Sequence, residues 1–75
     1  MIIFTQHAIL KLRQRGITRN LVIKTLNNPD KVLTTYGNRT AAFKKFRKLY
    51  FKVVFRKEDG NVIVITQHWS DKINP

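Results

Sequence analysis

The sequence predicts an α+β fold: a two-helix hairpin packed on one face of a four- to five-stranded, mainly antiparallel sheet, in the order β-α-α-β-β-β-β. Three observations lead there. Helical periodicity with start and stop signals fills residues 6–28. After Pro29 the apolar pattern turns alternating or continuous, rich in β-branched and aromatic residues. The connections between those later segments are short, which makes consecutive strands antiparallel neighbours. A chain of 75 residues supports one small domain, residues 1–75, that buries only about 60% of its unfolded surface. It has no cysteine and no clustered ligand set, so no disulfide, metal or cofactor is expected, and the core must come from helix-on-sheet packing.

The elements follow in order. "MIIF" is a short apolar run that reads as a strand, and Thr5 after it offers a hydroxyl to the first free helix amides. "QHAILKLRQRG" then sets Ala8, Ile9 and Leu12 on one stripe and ends at Gly16, which supplies a left-handed stop. "ITRNLVIKTLNNPD" repeats the grammar, with Thr18 as cap, Val22, Ile23 and Leu26 as apolar face, and Asn27-Asn28-Pro29 as terminator. Strands are expected at 31–36, 39–46, 48–56 and 61–69, with turn signals at Gly37-Asn38 and Glu58-Asp59-Gly60. "KFRK" is the least distinct of the connections.

Fifteen Lys and Arg stand against four Asp and Glu, a net charge of +11, and through residue 57 the only acidic side chain is Asp30. A field of that sign favours polyanions through Coulomb attraction and counterion release, so RNA, DNA or an acidic protein is the expected partner. Apolar runs such as "NVIVIT" are too short to span a bilayer, and "MIIFTQHA" lacks the basic region and long apolar run of a signal peptide. A cytoplasmic location without membrane contact is therefore expected.

"TQH" occurs at 5–7 and again at 66–68, and the two copies hold both histidines of the chain. On the first helix His7, Lys11 and Arg15 are spaced i, i+4, i+8 and form one row. Like charges in such a row cost a few tenths of a kcal/mol per pair, roughly, and a bound phosphate would relieve that. In the first turn the helix dipole disfavours protonation of His7, which keeps its imidazole able to accept a proton. The plainer reading is a surface histidine beside ordinary solvated charges.

"FTQHAILKLRQRGIT", followed by "VIKTLNNPDKV" and later "VIVIT", resembles a family of small prokaryotic proteins of uncharacterised function. That family in turn resembles the compact nuclease superfamily of the barnase, EndoU, colicin and RelE type. The positions that match its pattern are His7, Ala8, Lys11, Arg15, Gly16, Ile17, Pro29 and Thr66. The resemblance implies a RelE-like fold, metal-independent RNA cleavage of the kind found in toxin–antitoxin modules, and an acidic antitoxin as partner. Lys11 stands where the family more often has Arg, which weakens bidentate phosphate contact there.

In "KLYFKVVFR", Leu49, Phe51, Val53 and Phe55 fall on one side and read as core, while Lys48, Tyr50, Lys52, Val54 and Arg56 fall on the other. The second set is either a solvated outer face or a surface that holds a nucleic-acid backbone by charge and a base by its ring. "NVIVITQHW" reads as a central strand whose Thr66, Gln67 and His68 mark a cleft edge, with Trp69 either stacking on a base or plugging the core rim. A three-residue loop Glu58-Asp59-Gly60 would pair Arg56 with Val62, Lys52 with Thr66 and Tyr50 with His68, and would send Ile63 and Ile65 into the core. A loop of two or four residues would instead turn His68 toward Leu49 and Phe51.

These residues fit a metal-independent endoribonuclease first. RNA supplies its own 2′-hydroxyl nucleophile, so the protein needs an acid–base group and cations for the phosphorane. His7 is assigned as base or acid, His68 as its complement if the fold joins them, Lys11, Arg15, Lys52 and Arg56 as phosphate stabilisers, and Thr66 as a hydrogen-bond donor to phosphate. Two other readings stand beside it: a non-catalytic RNA- or DNA-binding module, and an antitoxin-docking protein with vestigial nuclease activity. RNA, free or ribosome-associated, is the expected substrate.

Overall fold

The computed structural model describes residues 1–74. Seven elements follow one another: β1 (Ile2–Phe4), α1 (Gln6–Arg15), α2 (Arg19–Asn27), β2 (Lys31–Thr34), β3 (Thr40–Phe46), β4 (Leu49–Glu58) and β5 (Asn61–Ser70). The strands form a single five-stranded sheet in the order β1-β5-β4-β3-β2. β1 lies parallel to β5 and every other pairing is antiparallel. This is the α+β architecture expected from the sequence, with β1 added at the edge beside β5.

The helices start and stop where local chemistry tells them to. Thr5 is extended and its hydroxyl accepts the Ala8 amide at 3.0 Å, while Gly16 closes α1 in the left-handed region at φ 62°. Thr18 accepts the Leu21 amide at 3.2 Å and so caps α2 in the same way. α1 packs on β5 and β1, α2 on β4 and β3. Between them Ala8, Leu12, Ile17 and Val22 meet Phe51, Val53 and Val64 of the sheet, with Phe4, Leu21, Leu26 and Phe46 around them. Ile9 and Ile23, expected on the apolar faces, are only half-buried.

The last hairpin corrects the expected register. Asp59 and Gly60 both have positive φ, at 52° and 79°, and form a two-residue turn that pairs Glu58 with Asn61. Left alone, that turn would carry His68 to the helix side. The pairing then jumps by one between Val54 and Phe55, skipping Ile65, so that Lys52 lies opposite His68, Val54 opposite Thr66 and Tyr50 opposite Ser70. The bulge restores the alternation that the shorter turn had reversed. Thr66 and His68 thus reach the Lys52 face, but through different partners from those expected. Val64, not Ile63 or Ile65, joins Phe51 and Val53 in the core, and Ile63 stands opposite Arg56.

Candidate functional site

β1 pairs with β5 only over Val62–Val64. Beyond it the edge of β5 is met by α1. The Thr5 hydroxyl approaches the bulged Ile65 carbonyl at 3.4 Å, and the Arg15 guanidinium donates to the Gln67 carbonyl at 2.6 Å. The handover from strand to helix therefore places the end of the α1 row over the edge of β5, beside His68.

His68 is half-buried on the face away from the helices, directly across from Lys52. Burial, then the positive charges of Lys52 and Arg15, push its pKa below the ordinary 6.5. Three elements thus bring one neutral imidazole and two cations together: α1 gives Arg15, β4 gives Lys52, β5 gives His68. Thr66 lies two residues along the same face of β5, opposite Val54. Lys11, on the same helix row, is half-buried and donates to the Gln14 side chain at 3.1 Å.

Lys52 is more enclosed than a basic outer face would make it. It is 8% exposed, its ammonium lies 5.5 Å from the Phe43 ring, and it donates to the Asn74 carbonyl at 3.2 Å. The chain after β5 returns over this face far enough to cap it. Nothing in "SDKINP" signals that return. Gln67, expected at a cleft edge with its neighbours, is fully buried and donates to the Ala8 carbonyl at 2.9 Å, leaving its Oε1 without a partner.

The remaining expected site residues have partners of their own or stand in other surroundings. His7 is exposed on the first turn of α1, and no hydrogen bond among the described residues involves its ring. Arg56 lies four residues from Lys52, about 13 Å along the strand at the usual rise per residue, and pairs with Glu58 at 3.2 Å. Tyr50 shares the Lys52 face and is half-buried, with the Lys45 ammonium 5.7 Å from its ring. Lys48 is not on that face: it sits in the turn before β4, at the rim of an open groove of about 830 Å³. Trp69 is 41% exposed in the same groove, and its ring also meets Phe51 edge-on at 5.1 Å. Its role as core plug and its access to a ligand coexist. The cluster "KKFRKL" was the signal for this groove, cations set around an aromatic beside an ill-defined turn.

A family model described as "Domain of unknown function (DUF4258)" matches residues 4–67. The chain belongs to this family. The DUF4258 match takes in the whole α1 row, Lys52 and Thr66, and stops one residue before His68. No curated protein and no solved structure matches the chain significantly. No helix among the described residues is long and apolar enough to cross a membrane.

Proposed function

We propose that this DUF4258 chain is a metal-independent endoribonuclease of toxin type, with His68, Arg15 and Lys52 as its reacting group and its phosphate clamp. The observation that carries the reading is the convergence of those three side chains at the edge of β5, with the histidine pKa lowered. A neutral imidazole accepts the 2′-hydroxyl proton as that oxygen attacks the adjacent phosphorus. The two cations stabilise the charge of the phosphorane, and the imidazolium returns the proton to the departing 5′-oxygen. The products are a 2′,3′-cyclic phosphate and a 5′-hydroxyl end. The family that "FTQHAILKLRQRGIT" resembles is itself similar to the RelE-type nucleases, which favours RNA cleavage in general and, of the three residues, takes in Arg15 alone. Lys11 and His7 then line the approach as phosphate contacts, and Thr66 donates to a non-bridging oxygen.

The test is cleavage of mixed RNAs in excess chelator with analysis of the product ends. Cyclic phosphate ends are expected, with no cutting of DNA. His68→Ala should lower the rate by about 10²–10⁴ with little change in RNA affinity, whereas His7→Ala should cost less than about tenfold. Full activity in His68→Ala removes this histidine from the chemistry. A second reading, binding of nucleic acid without cutting, is favoured by one observation: the Lys52 ammonium is already occupied by the Asn74 carbonyl. Absence of cleavage together with tight RNA binding selects it.

A further inference from the structure

We infer that the groove at the β3–β4 turn is a seat for one unpaired nucleobase of a single-stranded nucleic acid, stacked on Trp69 with its flanking phosphates held by Arg47 and Lys48. The groove is lined by Lys45, Phe46, Arg47, Lys48, Leu49 and Trp69, and its volume of about 830 Å³ falls in the roughly 300–1,000 Å³ typical of ligand sites. Its floor is aromatic and its rim is cationic. Phe46 meets the Trp69 ring edge-on at 5.7 Å, and Phe51 meets it from the core, so the indole is held by its neighbours while 41% of the residue stays open. Lys24 of α2 adds a fourth cation, its ammonium 5.9 Å from the Phe46 ring. The lining holds no acidic residue.

Flat apolar surface ringed by positive charge is complementary to a ligand that joins a π-face to negative charge, which is what each nucleotide of a single strand offers. An acidic peptide supplies the charge without the ring. The backbone adds an independent sign. Arg47 occupies the first central position of the two-residue turn between Phe46 and Leu49 at φ 58°, where glycine is the unstrained choice. An arginine kept in a strained conformation at a groove rim points to a use for its side chain rather than to folding.

Position links this seat to the edge of β5. His68 and Trp69 are consecutive in β5 and stand on opposite faces, just past Gln67, where Arg15 at the end of α1 meets the strand edge. A strand passing round that edge can present a phosphate to His68 and a base to Trp69. The inference rests on the chain's being a nucleic-acid binder, but not on its cutting RNA.

Trp69 is the only tryptophan, so its fluorescence reports on the groove directly. Titrating the full chain with a single-stranded oligodeoxynucleotide, which has no 2′-hydroxyl to react, should give saturable quenching. Inorganic polyphosphate of similar charge should compete for the protein without quenching. Trp69→Leu keeps apolar bulk over Phe46 and Phe51 and should weaken binding of a labelled oligonucleotide roughly ten- to hundredfold, while Trp69→Phe should stay within a few-fold. Arg47→Gly should weaken binding several-fold and raise the thermal midpoint at the same time. Equal quenching by polyphosphate, unchanged affinity in Trp69→Leu, or a polyglutamate peptide that outcompetes the oligonucleotide at equal charge each overturns the assignment. Cleavage of RNA without Trp69 quenching removes the groove and leaves the nuclease reading standing. Quenching by DNA in a chain that cuts no RNA does the reverse.

Discussion

His68 feels three causes that act in one direction, and each can be removed separately. Burial is the largest, Lys52 next and Arg15 third, and all three disfavour the imidazolium. Replacing Arg15 with Gln removes one cause, so the His68 titration followed by NMR should move upward, toward 6.5 without reaching it. His7→Gln should leave that titration where it is. A midpoint untouched by the Arg15 change separates the guanidinium from the imidazole and dismantles the proposed clamp. The same lowered value has a sign in stability. Below about 6.5 the unfolded chain binds a proton at this position that the folded chain resists, so the contribution of His68 is complete above the unfolded value and is lost as pH falls toward the folded one. His68→Gln should flatten the acid side of the stability profile. At this scale the sequence exposed the residue types well: both histidines, the α1 row and Lys52 were all visible as candidates. It put His7 first and His68 as its complement, because what sets His68 apart is burial and neighbours contributed by other elements.

Among the elements, the helices were the most legible. Thr5, Gly16 and Thr18 act within one turn of their own chain, and the structure uses each of them as its local chemistry dictates. The order of β2 to β5 was legible too, since short turns leave little choice, but the parallel seat of β1 beside β5 was not. The register of β4 on β5 was not, because it depends on Asp59 accepting a left-handed backbone and on the bulge at Ile65, which lies where β1 gives way to α1. Thr5 joins these two events: its hydroxyl caps α1 and also approaches the bulged carbonyl. Thr5→Ala should cost about 0.5–2 kcal/mol by chemical denaturation, in the range of lost helix caps, and Thr5→Ser should recover most of it. Equal losses in both variants would assign the effect to the methyl group instead. The segment after β5 makes a second contribution that composition does not reveal. Its Asn74 carbonyl holds the ammonium that the nuclease reading needs for phosphate. Ending the chain at Asp71 should therefore free the Lys52 ammonium and raise RNA affinity and cleavage several-fold. A fall in both activities would show that the segment completes the site rather than covering it.

At the scale of the whole molecule, charge decides more than any single contact. Eleven positive charges in excess are confined in a fold with one ion pair among the described residues, Arg56 with Glu58, and even Asp30 turns its carboxylate to the Lys45 amide at 2.7 Å. Self-repulsion in the folded state and attraction to polyanions are two consequences of the same field, and salt screens both. Sodium chloride between 50 and 200 mM should therefore raise the thermal midpoint of the free chain while lowering its affinity for a single strand, with a log–log slope of about 0.7 for each phosphate neutralised. An acidic antitoxin would draw on the same field and compete with RNA for it. The slope also tells which cations meet the nucleic acid. Removing Arg47 and Lys48 together should flatten it by about one to one and a half units, since both stand at the groove rim. Arg56→Gln should leave it nearly unchanged, because that guanidinium is at the far end of β4 and already has Glu58 for a partner. If the Arg56 change flattens the slope as much as the groove pair does, the strand is held by the general field and not along the line from His68 to Trp69. A slope near zero in the unmodified chain points instead to an apolar protein partner, because an interface built on buried carbon has no counterions to release.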